Sequence, residues 1–165
     1  MTQERKPAPG NRRILLLNGP NLNLLGARDH GLYGSLTLLE IVASLHRQAG
    51  RVGLEILAQQ SNHEGVMVDL IQKHACGDPT GAEKVCGIIL NAGALTHTSL
   101  SIRDALEAAF APAIEVHISN VHRREEFRHR SVLAAVCRGQ IVGLGPQVYA
   151  LALHAFALEM GLSEP

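Results

Sequence analysis

Five short apolar runs, each followed by a helix-patterned segment, leave this chain few ways to fold. They read RILLLNG (13–19), LEILAQQS (54–61), VCGIILNAG (85–93), AIEVHISN (113–120) and QIVGLG (140–145). An antiparallel strand with one wet face alternates apolar and polar residues; these runs are nearly continuous instead. That pattern belongs to strands buried on both faces of a parallel sheet, whose crossovers must be helices.

The intervening segments carry helix signals. Thr37 and Glu40 have capping-box spacing, with Leu38, Ile41, Val42 and Leu45 behind them at helical intervals. Ser61 and Glu64 repeat that spacing before Met67, Leu70 and Ile71. A third helix is predicted over 99–110, stopping before Pro112, a shorter one over 125–136, and a last one from Pro146 to about Met160. Strand and helix in fivefold alternation predict an α/β, flavodoxin-like three-layer fold on a five-stranded parallel sheet. The polar MTQERKPAPGNR (1–12) reads as a flexible tail without the apolar core of a signal peptide, leaving 13–165 as one domain. ACGDPTGAEK (75–84) reads as a surface loop at the far end of the sheet.

Composition narrows the function classes. The formal net charge is zero, so no overall field attracts nucleic acid or an anionic membrane. No apolar run approaches the ~18 residues of a membrane span. Three cysteines, Cys76, Cys86 and Cys137, form no C-x-x-C pair, which suits a reducing cytoplasm better than a disulfide framework or a zinc knuckle. His117 and His122 lack the H-E-x-x-H spacing, so no metal is expected.

In a sheet of this kind, ligands bind beyond the carboxyl ends of the strands. The first strand is followed there by NGPNLNLLGARDHGLYG (18–34), a connection too long to be a mere link and of the length used for lids and binding loops. It holds Asn18, Asn21, Arg28 and Tyr33. Asn91 and His97 follow the third strand. Glu115 and His117 lie late in the fourth, which leads to Ser119, Arg124 and Arg128. Each has a plainer reading: an asparagine after a strand often only shapes a turn, His117 could be a core histidine, and HRREEFRHR (122–130) a solvated helix face. Their gathering at one rim is what points to a site. The positions of Asn18 and Asn91 would carry acidic residues in a phosphoacceptor receiver domain. A flavin site would want a Ser/Thr-rich phosphate loop and stacking aromatics, and this chain has no tryptophan.

NGPNLNLLGARDHGLYG, QSNHEG, LNAGALTHTS, EVHISNVHRREEFRHRS and GLGPQVYALAL, in that order from about Arg13 to Met160, resemble the type II 3-dehydroquinate dehydratases. The resemblance implies a lyase that converts 3-dehydroquinate to 3-dehydroshikimate with no cofactor, metal or Schiff base, in aromatic biosynthesis or quinate breakdown. It also implies a homododecamer built as a tetramer of trimers. By motif, Tyr33 is the proton acceptor, Arg28 the transition-state stabiliser and His117 the proton donor, with Asn21 and Glu115 in support. Substrate contacts fall on Asn91, His97, Ile118, Ser119, Arg124 and Arg128, and on Asp104 from a neighbouring subunit. Asp29-His30, where the family often has Glu-Pro, and Val132 depart from its pattern without touching these positions.

The chemistry suits these residue types. Removing a proton α to a ketone and expelling a β-hydroxyl needs a base, a stabiliser for the enolate and an acid. Tyrosine, with an ordinary pKa of about 10, is a base near neutrality only beside cations. Arg28 alone is a borderline supply; Arg28 with Arg124 suffices, and guanidinium keeps its charge throughout. A histidine is suited to acid duty near neutrality. The lysines are Lys6, Lys73 and Lys84, in the tail, in a helix and in the far loop, so no imine-forming amine is expected at the rim. The rival reading is a non-catalytic small-acid-binding or assembly protein of the same fold, which would have no use for a base.

Overall fold

The computed structural model describes residues 11–27 and 36–162. Five strands form one parallel sheet: β1 (Arg13–Asn18), β2 (Glu55–Gln60), β3 (Gly87–Asn91), β4 (Ala113–His117) and β5 (Gly139–Val142), in the order β2-β1-β3-β4-β5. That is the flavodoxin order. Among the described residues, four α-helices cover it: α1 (Leu38–Arg51), α2 (Glu64–Ala75), α3 (Leu100–Ala108) and α4 (Gln147–Glu159). Asn11 and Arg12, grouped with the tail by sequence, already hold the sheet edge: Arg12 O accepts from Glu55 N at 2.8 Å, and Asn11 Nδ2 donates to Lys84 O at 2.6 Å. Arg28 and Tyr33 lie outside the described residues.

The continuous apolar runs now have their cause. Ile14, Leu16, Ile89, Ile114 and Val116 face α1 and α4, while Leu15, Leu17, Ile88 and Leu90 face α2 and α3. Successive side chains point to opposite faces of a strand, so a strand covered by helices on both sides is apolar on both. This holds for β1, β3 and β4 except towards their carboxyl ends, where Asn18, Asn91, Glu115 and His117 are buried polar residues. The edge strands β2 and β5 are only partly covered and their sequences are correspondingly mixed. At the start of β3, a Cβ on Gly87 would lie 2.7 Å from the Phe156 ring of α4, so only glycine lets that helix pack so close.

Helix starts follow the sequence in part. The Thr37–Glu40 capping box forms in both directions: Glu40 N donates to Thr37 Oγ1 at 3.2 Å, and Thr37 N to Glu40 Oε2 at 2.8 Å. Ser99 caps α3 by accepting from Ile102 N. Two expectations fail. Ser61 does not box with Glu64; its hydroxyl is taken by His63 N at 2.9 Å in a local turn, and α2 starts from His63 without a side-chain cap. No α-helix spans 125–136. The segment instead makes two single turns, Glu126–Arg128 and Ala134–Val136, with a third just before it at Val121–Arg123. Its first half has no apolar stripe to bury, and Phe127 is 65% exposed. Ser131 then captures Leu133 N and Ala134 N at 3.1 and 2.9 Å, so side chain replaces helical carbonyl as their acceptor. Among the described residues, no helix is long and apolar enough to cross a membrane.

Candidate active site

Asn18 and Asn91 end β1 and β3 directly opposite each other in register, and His117 ends β4 next in line. The backbones pack tightly here. Gly19 N donates to Asn91 O at 2.7 Å, and a Cβ on Gly19 would stand 2.5 Å from Ala92 O, so the chain leaving β1 has room for glycine alone. Asn21 takes a left-handed conformation (φ 67°), held by its N–H to Asn62 Oδ1 at 2.9 Å. That turn swings the next residues back over the strand ends and forms one wall of a cleft of about 180 Å³.

Across the cleft stands an acid–base pair. Glu115 and His117 are two apart on β4 and so share a face, with Val116 between them in the opposite core. His117 Nε2 meets Glu115 Oε1 at 2.7 Å. Glu115 is fully buried and its carboxylate is well supplied with donors: Thr96 Oγ1 donates to Oε1 at 3.1 Å, and Ser131 Oγ lies 2.9 Å from Oε2. Burial pushes Glu115 up, but the hydrogen bond and charge of His117, with Ser131 and Thr96, outweigh it and hold the carboxyl below the ordinary glutamate value. An ionised Glu115 accepts a hydrogen bond from Nε2–H, which fixes the tautomer and leaves Nδ1 as the ring nitrogen with no protein partner among the described residues.

The opposite rim is cationic. Arg124 and Arg128 both reach the cleft, and both lie against Glu125, whose Oε2 is 3.4 Å from Arg124 Nε and 2.9 Å from Arg128 Nε. Asn21, Asn91, His117, Ile118, Ser119, Arg124 and Arg128 thus line one cleft, with Glu115 beneath it. His97 is not among the cleft residues; its Nδ1 lies 2.8 Å from Arg130 O. Asp104 is exposed on α3 and is not among the cleft residues. Thr96, Ser131 and Glu125 carry no functional signal in the sequence; all three lie within the quoted motifs, but Thr96 and Ser131 act by reaching Glu115, 19 and 16 residues away. Among the described residues, no three of His, Cys, Asp and Glu are grouped so as to hold a metal ion.

The second tyrosine, Tyr149, lies wholly inside the fold, where its hydroxyl accepts from Asn91 Nδ2 and donates to Asn18 Oδ1, each at 2.8 Å. Burial pushes its phenol well above the ordinary value, only partly offset by Asn91. It is not a base.

An open parallel sheet with a buried carboxylate–histidine pair and an arginine rim at its strand ends is equipped for proton transfer on a small anion. The comparisons make this specific. Residues 12–157 match the family profile for dehydroquinase class II, and the chain belongs to that family. A 3-dehydroquinate dehydratase of Rhizobium johnstonii is 50% identical over 142 residues, 86% of this chain and 93% of the relative. Another, of Trichodesmium erythraeum, is 52% identical over 86% of this chain and 90% of its own. The crystal structure of type II dehydroquinase from Butyrivibrio crossotus superposes with a TM-score of 0.81 at 43% identity, covering 88% of this chain and 97% of that one. The Propionibacterium acnes type II dehydroquinase gives 0.80 at 38%, covering 89% and 97%.

Proposed function

We propose that this protein dehydrates 3-dehydroquinate to 3-dehydroshikimate by anti elimination through an enolate. The observation that carries the proposal is the His117–Glu115 pair at 2.7 Å on the floor of a cleft rimmed by Arg124 and Arg128. A non-catalytic binder of small acids gains nothing from an ionised, fully buried glutamate held against a histidine, and such a pair is expensive to bury. In the proposed reaction Tyr33, as phenolate, takes the proton α to the ketone, with Arg28 and Arg124 favouring its charged form. The electron pair passes to the carbonyl oxygen, and Asn21, through an ordered water, stabilises that enolate. Collapse of the enolate expels the β-hydroxyl, which takes its proton from His117 Nδ1 and leaves as water. Glu115 keeps its negative charge beside the imidazolium that donates. Tyr149 is excluded as base by its burial, which leaves Tyr33 as the chain's candidate.

The substrate carboxylate is assigned to the backbone N–H groups of Ile118 and Ser119 with Arg128 nearby, and hydroxyls to Asn91 and His97. Asp104, exposed on α3, is assigned to the site of a neighbouring subunit in a homododecamer. An imine route finds no support: Lys84 Nζ donates to Lys73 O and Cys76 O at the C-terminal end of α2, opposite the cleft. The test is direct. Purified protein mixed with 3-dehydroquinate should generate the ultraviolet absorbance of a conjugated enone, and the signal should persist with a strong chelator or borohydride present. Folded protein that gives no signal refutes the proposal.

A further inference from the structure

We propose that Tyr149 is a positioning residue for the substrate-binding amide of Asn91, acting as the middle link of a buried chain Asn18–Tyr149–Asn91. This rests on the dehydratase reading of the same cleft. Asn18 and Asn91 end adjacent strands at the point where the chain order reverses, and both side chains are almost fully buried, at 1% and 3% exposure. Tyr149 reaches them from α4, from positions 131 and 58 residues away in sequence.

The chain has a direction. A tyrosine hydroxyl has one proton; here it goes to Asn18 Oδ1, so the oxygen's lone pair faces Asn91 and accepts from Nδ2. Asn91 is thereby held with nitrogen toward the core and Oδ1 toward Gly93 N, at 3.3 Å. The other end of the chain argues that this orientation is imposed. Asn18 Nδ2 is buried and has no hydrogen-bond partner among the described residues. A side chain placed for its own hydrogen bonding would not leave a buried donor empty. Reversing the Asn18 amide would set two N–H donors against one phenol oxygen and strand the phenol's proton. The orphaned donor is therefore the consequence of an acceptor fixed at Asn18, and that acceptor fixes which atom of Asn91 the cleft presents to a substrate hydroxyl.

Tyr149→Phe deletes the hydroxyl and keeps the buried ring. Steady-state kinetics on 3-dehydroquinate, with thermal unfolding measured alongside, should show KM raised about 3- to 10-fold, the range of one lost hydrogen bond, with kcat little changed. Asn18→Ala, which frees the phenol's proton to turn toward Asn91, should raise KM in the same direction. The double variant should be no worse than Tyr149→Phe alone, because both break one chain. A lowered melting temperature with unchanged KM in the folded variants means a merely structural role and overturns the inference, as do losses that add. If Tyr149→Phe does not fold, an unchanged KM in Asn18→Ala overturns it. Absence of turnover by the wild-type protein instead sinks the dehydratase reading itself, and this inference with it.

Discussion

Glu115→Gln is the substitution that tests how the acid is built. It preserves shape and removes one charge from a fully buried position. If the new oxygen stays on the side of His117 Nε2 and Thr96 Oγ1, the new NH₂ replaces Oε2 and faces Ser131 Oγ. That hydroxyl oxygen already accepts from Leu133 N and Ala134 N, so one donor is left unmatched, worth about 1–3 kcal/mol of stability. The larger effect falls on catalysis. His117, once protonated, loses a hydrogen bond to a charged partner worth about 1.5–3 kcal/mol, roughly a ten- to hundredfold loss of rate at neutral pH. Because proton supply is what fails, rate should recover as the medium is acidified. Stability should respond to pH as well. The folded Glu115 is held below its ordinary value, so its contribution is fully present above the ordinary carboxylate range and disappears as pH falls through the lowered value; the variant lacks that loss. Enone formation followed across pH, with urea unfolding at each value, measures both. Full rate with an unaltered pH profile would refute Glu115 acting through His117, and a loss that acid does not relieve would equally contradict it.

His117→Ala should lower kcat by about 10²–10⁴ and also destabilise, since Glu115 is left buried without its partner; adding Glu115→Gln should restore stability but not activity, checked by calorimetry and turnover. Tyr33→Phe should be inactive at every pH, whereas Arg28→Ala should regain rate as pH rises and the tyrosine ionises; activity in Tyr33→Phe excludes tyrosine as the base. Gly19→Ala should fold poorly or lose substrate affinity, because its methyl group would press on Ala92 O at the strand crossing; an unchanged melting temperature and KM would contradict the close approach.

Most of the architecture is written in patterns with a local cause. Leu15, Leu16 and Leu17 announce a strand covered on both sides, and Thr37 with Glu40 a helix start, because each depends on neighbours in sequence. What is not legible depends on distant partners. Ser131 ends a charged run that reads as a helix; it stops that helix by binding Leu133 N and Ala134 N, and it points at Glu115 only because the segment crosses the end of β4. Ser61 has the spacing of a cap, yet a nearer N–H claims it. Tyr149 lies on a helix apolar nearly all round, where an aromatic reads as core; only the two asparagines that meet its hydroxyl give it another meaning. His117, His97 and the arginines are assigned roles by motif resemblance alone, whereas nothing in the sequence marks the hydroxyls of Thr96 and Ser131 that bind Glu115.

Val116, alone between the paired Glu115 and His117, belongs to the core on the other side of the sheet, against α1 and α4. The proposed proton donor and its counter-charge therefore ride on one short stretch of backbone anchored by a hydrophobic side chain on the face of the sheet away from the cleft. A larger or smaller residue at Val116 would tilt that stretch as a unit. The 2.7 Å contact would travel intact, while its offset from Asn91 on the neighbouring strand changed. On the proposed mechanism, selection acting on helix packing behind the sheet can thus shift His117 relative to the cleft without altering any residue that lines it. Drift in this enzyme's rate should accordingly be sought in its far core as well as in its pocket.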